Sequence, residues 1–502
     1  MLPLGIRMEY TPTIGLEIHV ELKTRTKMFC ASLNDPDEKR PNTNICPICM
    51  GHPGTLPVAN EEAIRKVALA GMSLGCTIDP ETFFERKNYF YPDLPKGYQI
   101  TQYQRPFCKD GALNILGANG KPKTIRIERI HLEEDVGRSY HSADGSDTLL
   151  DFNRAGVPLM ELVTKPDFTS AEEVVAFAEE LRLILRYAGV SDADMEKGQM
   201  RVEVNISMAP SDAPGTGTKV EVKNINSINA AGRAATYEME RQANVLRSGE
   251  RVIQETRGWD EMQGLTVSQR IKEGAADYRY FPEPDLPPIV LTPEWLVDVQ
   301  IRVPELPAER RARFTQEYAL PEHDIEVMTT NRPLGDYFEH VASELGSFEK
   351  LSHLDRPSAE HVPRLYKLAS NYLMTELVRH LDAAGLPISQ CPISPEHFAD
   401  AIVRVFHGEV SSSGAQALIA GMFENGASPE AIIREKDLAQ VSDSGALLEI
   451  VSRVLAENEK AVADFKAGKE APLKFLVGKV MAASKGKANP QVAQELILKA
   501  LQ

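Results

Sequence analysis

Between Ile14 and Leu22 apolar and polar residues alternate strictly, with Gly15, Glu17, His19 and Glu21 interleaved among Ile14, Leu16, Ile18, Val20 and Leu22. A period of two sends successive side chains to opposite faces of a strand, so one face is apolar and the other carries Glu17, His19 and Glu21. The pattern recurs over residues 200–208, where Arg201, Glu203, Asn205 and Ser207 oppose an apolar set, and over 219–223, where Lys219, Glu221 and Lys223 oppose Val220 and Val222. Three strands with mixed acid, base and imidazole faces are predicted. Each alone reads more readily as the solvated outer face of an antiparallel sheet. If they share one sheet, their charges converge, and converging carboxylates with one imidazole suit a divalent cation, with lysines to meet the phosphates it escorts. A fourth segment, 126–135, adds Glu133, Glu134 and Asp135. There Glu134 shares parity with Ile130 and Leu132, so a bulge or strand end is needed to carry it to the charged face.

Helical spacing replaces alternation in several places. Ser170 and Glu173 form a capping-box pattern ahead of Val174, Phe177, Leu181, Ile184 and Leu185. A second helix is predicted over 228–246. Seven prolines between Pro282 and Pro307 exclude helix interiors and central strands there, and place a domain boundary. Beyond it the pattern is almost wholly helical, with helices predicted over 336–345, 364–384 and 395–406, and a smaller helical segment opening at Ser411-Ser412-Ser413-Gly414.

A chain of 502 residues exceeds what one core usually organises. No apolar run approaches the roughly 20 residues of a membrane span, and the first residues lack a basic region followed by an apolar stretch, so a cytoplasmic protein without a membrane partner is expected. The net charge of −16 argues against a surface that coats nucleic acid everywhere. The segment from Lys466 to Gln502 is the exception, with seven lysines against two glutamates. Lys474, Lys479, Lys485 and Lys487 could contact nucleic-acid phosphates there, and a solvated helix face explains them equally well.

Six cysteines are too few for a disulfide framework. Cys46-Pro-Ile-Cys49 has the spacing of half a zinc site, with Cys30 upstream and His52 as a fourth candidate ligand. Structural zinc and plain buried thiols both remain open readings. The chain has neither a Gly-x-x-x-x-Gly-Lys-Ser/Thr loop nor a Gly-x-Gly-x-x-Gly turn, so a nucleotide site would have to come from a sheet face. Residues 85–99 interleave aromatics, bases and prolines, a stiff polar loop that presents Lys87 and Asp93 for work or packs over the sheet.

These elements together resemble the B subunit of the bacterial-type aspartyl/glutamyl-tRNA amidotransferase. The resemblance is carried by Gly15-Leu16-Glu17-Ile18-His19, the run from Arg86 to Gln99, His131-Leu132-Glu133-Glu134-Asp135-Val136-Gly137 and Asp151-Phe152-Asn153-Arg154-Ala155-Gly156. It continues through Lys223-Asn224-Ile225-Asn226-Ser227 and Tyr278-Arg279-Tyr280-Phe281-Pro282 to Lys485-Gly486-Lys487-Ala488-Asn489-Pro490. It implies an α+β chain: an N-terminal kinase-like, glutamine-synthetase-like antiparallel-sheet domain over 1–294, an all-α helical domain over 295–407 and a small helical tail that grips tRNA over 408–502.

The resemblance also implies ATP and magnesium, used to phosphorylate the side-chain carboxylate of misacylated Asp-tRNA or Glu-tRNA before amidation. Its metal ligands fall on Glu17, His19 and Glu134; Lys87 would meet phosphate oxygens, with Glu203, Glu221 and Lys223 near the site. An amidase A subunit and a small C subunit would complete a heterotrimer and supply ammonia from glutamine. Many members have a Cys-x-Cys pair where this chain has Cys30-Ala31-Ser32, a departure that bears on the zinc. Two other readings compete: a catalytically silent scaffold that presents tRNA, and a free-standing ligase for a small acid.

Overall fold

The computed structural model describes residues 10–142, 144–271, 278–346, 361–439, 444–466, 469, 471–484, 488 and 490–501. The chain divides into two compact units, Met1–Pro307 and Ala308–Gln502.

The first unit is built on a nine-stranded sheet. From one edge its strands are Leu265–Ile271, Glu255–Asp260, Val220–Lys223, Met200–Pro210, Tyr10–Glu21, Pro158–Thr164, Pro122–Glu134, Cys108–Leu116 and Thr77–Ile78. Neighbours are antiparallel except Val220–Lys223 beside Glu255–Asp260, which run parallel. The alternating segments at 10–21, 200–210 and 220–223 all lie in this sheet, with the first two adjacent. Their apolar sets, Ile14, Leu16, Ile18 and Val20 with Val202, Val204 and Ile206, are fully buried. Helices Glu61–Ser73, Ala171–Tyr187 and Ile228–Arg247 contribute to the same core through Val67, Phe177, Leu181, Ala231 and Ala234. One face of the sheet is thus given to packing, and the polar positions are left on the other.

The predicted cap at Ser170 is present, in a shifted form. Ser170 Oγ accepts from Glu173 N–H, while the Glu173 carboxylate reaches back to Thr169 N–H at 2.7 Å and to Lys123 Nζ at 2.7 Å. The start of the helix is tied both to its own first turn and to the sheet.

A small three-stranded sheet, Phe281–Pro282, Glu85–Asn88 and Tyr98–Thr101, adjoins the end of the Pro122–Glu134 strand. Arg86 pins it, bridging the buried Glu283 carboxylate at 2.6 and 2.7 Å. Helix Pro293–Ile301 belongs to this unit as well. Val299 is in its core, and Arg65 both bonds Asp298 at 2.5 Å and lies over the Trp295 ring. The first compact unit therefore includes this helix and reaches Pro307.

The second unit is helical. Phe314, Phe338, Leu377, Phe398, Ile402, Leu418 and Met422 share one core, and Leu447, Val451, Leu476, Val480 and Ile497 form another. Helix Ser412–Asn425 packs with Pro395–Phe406 in the first of these, so residues just beyond 408 share the core of those before them. The helix predicted over 364–384 runs from Val362 to Ala384 with one π-helical turn at Leu373–Leu377.

Candidate active site

The polar face of the sheet gathers its charges at the centre. In the antiparallel pairings His19 faces Glu161 on one side and Arg201 on the other, Glu17 faces Glu203, and Glu161 faces His131. Directly opposed residues share a face, so these pairings alone bring together side chains from four strands. His19 Nε2 lies 3.3 Å from Glu161 Oε2, 3.8 Å from Glu133 Oε1 and 3.9 Å from Glu17 Oε1. His131 Nε2 lies 3.5 Å from Glu161 and 3.6 Å from Glu133. Two overlapping triads, Glu17–His19–Glu203 and His19–Glu133–Glu161, each keep their ligand atoms within 4.8 Å of one another.

Lysines border this group. Lys223 Nζ is 2.8 Å from Glu203 and 3.3 Å from Glu221, whose other oxygen accepts from Thr256. Lys87 comes close enough to stabilise the charges on Glu133 and Glu161. Glu17, His19, Lys87, Glu203, Glu221 and Lys223 are therefore brought to one site.

Glu134 is not. With the parity of Ile130 and Leu132, it turns away from His19 and no bulge brings it back. Its Oε1 accepts from Ile100 N–H at 2.9 Å and pairs with Lys96 Nζ. Glu133, one residue earlier, occupies the place expected of Glu134. Sequence reasoning also passed over His131 and Glu161, although His131 and Glu133 alternate with Ile130 and Leu132, and Glu161 is the one charge in Pro158–Thr164. Period two was the signal for His131 and Glu133, and the single charge in an otherwise apolar strand was the signal for Glu161.

The electrostatics reflect crowded acid. Burial, then the charges of Glu161 and Glu203, push the Glu17 carboxyl up to about 7. Burial works against a charged His19, but the bonded Glu161 and the nearby Glu203 and Glu133 outweigh it and raise the imidazole to about 9. Burial likewise opposes charge on Glu133 and Glu161. The imidazoles win there, with His131 holding Glu133, and His131 and His19 holding Glu161, below the usual carboxylate range. Each of the two triads, which share His19, offers two carboxylates and an imidazole, a donor set suited to a hard divalent cation, and the raised Glu17 marks crowded negative charge that such a cation would relieve.

Towards the end of the same face lies a second group. Burial opposes charge on Asp135 too, but Arg154 and Arg201 hold its carboxyl down to about 2, and Arg201 bonds it at 2.8 Å. Burial and Asp135 together push Glu21 up to about 8. These arginines frame the site without joining the triads.

Cys30, Cys46 and Cys49 also converge, their sulfurs within 4.8 Å of one another. Cys46 N–H donates to Cys49 Sγ at 3.2 Å. His52 is exposed and stands outside the cluster. The completely buried Lys27 lies against the cluster instead, its ammonium 3.7 Å from Cys49 Sγ and 3.2 Å from Phe152 O. Bonding from Cys30 leads the causes that lower the Cys49 thiol to about 4, with Lys27 contributing. The three sulfurs fit a soft metal, one ligand short of a closed tetrahedral site, and they equally fit a thiol cluster with an internal cation.

Lys474 and Lys479 are exposed on helix Ala471–Ala483, whereas Lys485 and Lys487 lie outside the described residues. Among the described residues no helix is long and apolar enough to cross a membrane.

A mixed, largely antiparallel sheet with helices on its apolar face and convergent acid, imidazole and lysine on the other defines an α+β protein with a candidate cation site on its sheet. The chain belongs to the GatB family: residues 12–297 match the GatB/GatE catalytic domain and residues 359–501 match the GatB domain. It is 45% identical over 499 residues to the B subunit of the aspartyl/glutamyl-tRNA(Asn/Gln) amidotransferase of Thermotoga maritima, covering 99% of this chain and 100% of that protein. The corresponding B subunits of Caldicellulosiruptor saccharolyticus and Thermoanaerobacter pseudethanolicus are each 44% identical, covering 99% and 98% of this chain and 100% and 99% of their own lengths.

Proposed function

We propose that this chain is the B subunit of a glutamine-dependent amidotransferase that converts misacylated Asp-tRNA(Asn), Glu-tRNA(Gln) or both to the amidated forms, with ATP activating the side-chain carboxylate. A carboxylate resists ammonia because it is anionic and would have to expel oxide. Phosphorylation supplies a leaving group, and the enzyme's part is then mainly to position the reactants and stabilise charge.

The convergence of Glu17, His19, Glu133, Glu161 and Glu203 on one sheet face, bordered by Lys87 and Lys223, carries this reading. His19 with Glu133 and Glu161, or with Glu17 and Glu203, would hold magnesium. When bound, the ion neutralises charge on the transferring phosphoryl group. Lys87 and Lys223 face incoming phosphate oxygens, and Glu221 and Glu203 keep Lys223 charged and oriented. Ammonia comes from a partner amidase A subunit, with a small C subunit completing the cytoplasmic complex.

The experiment is exchange of His19 for Ala in the assembled complex. ATP-dependent amidation should be lost while the partner's glutaminase activity persists. Retained amidation overturns the assignment.

The basic tail supports a tRNA-gripping role, because Lys474 and Lys479 are exposed and every phosphate contact adds salt-sensitive affinity. Removal of residues 466–502 should weaken tRNA binding and leave ATP hydrolysis in place. Unchanged affinity with intact amidation refutes the tail's role. A scaffold-only protein would instead retain amidation after His19→Ala.

A further inference from the structure

Five tyrosine rings form a continuous ladder on the small sheet and its flanking loops. Tyr91 and Tyr89 have centroids 6.2 Å apart, Tyr89 and Tyr278 6.1 Å, and Tyr278 and Tyr280 6.0 Å. Tyr280 and Tyr103 are stacked at 4.5 Å with their planes 10° apart. Both ends of the ladder face solvent, Tyr91 at 60% and Tyr103 at 55% exposure. The three inner rings, Tyr89, Tyr278 and Tyr280, are half-buried and meet edge to face, and a row of rings open at both ends marks a binding surface.

The ladder is rigidly placed. Asn88 N–H donates to Tyr278 O at 2.9 Å, and Asn88 Nδ2 donates to Arg279 O at 2.9 Å, locking the Tyr278–Tyr280 segment to the Glu85–Asn88 strand. The Tyr89 hydroxyl bonds Gln99, whose amide in turn donates to Glu134 O on the charged strand at 2.7 Å. The ladder also adjoins the acid–imidazole group. Burial leads, and the charge of Glu133 follows, among the causes that raise the phenols of both Tyr89 and Tyr280. Lys87 stands between the two, its ammonium 5.2 Å from the Tyr278 ring centre and 5.8 Å from that of Tyr89.

We infer that the tyrosine ladder is a stacking platform for the single-stranded, aminoacylated 3′ end of the tRNA, with Lys87 at its inner side for phosphate charge. This rests on the reading of the adjoining face as the place where the aminoacyl carboxylate is activated. Three features favour an RNA end over the adenine of ATP. The rings extend in a row, where a single purine needs one ring or a facing pair. Successive unpaired bases each offer a π-face to such a row. And the inner rings Tyr89 and Tyr280 lie beside the acid cluster while the outer rings Tyr91 and Tyr103 are exposed, so a strand laid from either end inward brings its terminal residue towards Glu133 and Glu161.

The test uses the assembled amidotransferase with Tyr91→Leu and Tyr103→Leu, which keep apolar bulk but remove the ring, and Tyr91→Phe and Tyr103→Phe, which keep the ring. The probe is tRNA carrying 2-aminopurine in place of its terminal adenosine, whose fluorescence is quenched by stacking. Each Leu variant should raise KM for misacylated tRNA about tenfold and relieve the quench, with KM for ATP unchanged and the Phe variants close to the parent. A raised KM for ATP with unaltered tRNA behaviour assigns the rings to the nucleotide's base and overturns the proposal. No change in either KM, or equal loss in Leu and Phe variants, also overturns it. Because quenching needs no turnover, a complex that stacks the probe but fails to amidate leaves the platform standing and removes the activity reading instead.

Discussion

His19 and Glu161 face each other directly across an antiparallel strand pair, with Nε2 and Oε2 3.3 Å apart. Glu161 also touches His131 and lies 3.6 Å from Arg129, so one carboxylate holds three cationic or imidazole groups in register. Its neighbours on both sides, Met160 and Leu162, are fully buried, which fixes the backbone and leaves the carboxylate little freedom to turn. Glu161→Gln, which keeps the side chain's shape and one accepting oxygen, should therefore lower amidation about a hundredfold. Manganese, a spectroscopic stand-in for magnesium, should bind the variant more weakly. Unchanged manganese affinity by paramagnetic titration would remove Glu161 from the ion's surroundings.

Glu134 has a different task. Its carboxylate pairs with Lys96 and accepts from Ile100 N–H, and both side chains are largely buried. Removing one partner of a buried pair strands the other charge, at a cost of about 3–5 kcal/mol. Glu134→Leu should unfold at clearly lower denaturant concentration than the parent, and Lys96→Met should do the same. Combining the two should restore most of the loss. Additive losses in the double variant would show that the pair is not the source of the effect.

The contrast between Glu133 and Glu134 shows how far the sequence could be read. Alternation made the strands at 10–21, 200–210 and 220–223 legible with their polar faces, because burial on one side of a strand enforces period two. Sheet order was not legible. That Glu161 lies beside His19 depends on pairing residues some 140 positions apart, which no local pattern encodes. A shift of one residue along a strand exchanges the two faces. Carrying a ligand role to Glu134 by motif overrode the parity that pointed to Glu133. The proline-rich stretch ends at Pro307, the last residue of the first compact unit, whereas the packing of Trp295 and Val299 on the first core was hidden in a helix with little contrast between its faces. The tyrosine ladder was half visible: the run at 85–99 showed Tyr89 and Tyr91, while Tyr278 and Tyr280 arrive from far along the chain.

Glu173 gives the first unit an acid-sensitive anchor. Burial raises its carboxyl, but the ion pair with Lys123 and the Thr169 N–H prevail, and its net position is below the ordinary 4.5. Since the folded value is the lower one, its contribution is complete above pH 4.5 and fades as pH falls through the folded value. Glu173→Gln should cost about 1–2 kcal/mol at neutral pH. The gap in melting temperature between parent and variant should narrow on acidification below pH 4.5. A gap independent of pH would assign the effect to packing alone.

Ser32 stands two residues beyond Cys30, at the second position of the Cys-x-Cys pair that the resemblance implies, and its hydroxyl and backbone bond Cys30. With only three thiols, the cluster leans on the buried Lys27 ammonium beside Cys49, a charge that competes with a metal for the same sulfur. Four thiolates satisfy tetrahedral zinc, whereas three leave a position for water and a weaker site. Ser32→Cys should retain one zinc per chain through dialysis against a mild chelator under conditions in which the parent loses it. The gain should also raise the melting temperature of the zinc-loaded variant, because metal affinity for the folded state alone adds directly to stability. Equal zinc retention by parent and variant, measured by atomic absorption, would mean that the three cysteines already close the site with another ligand and that Lys27 does not compete for Cys49.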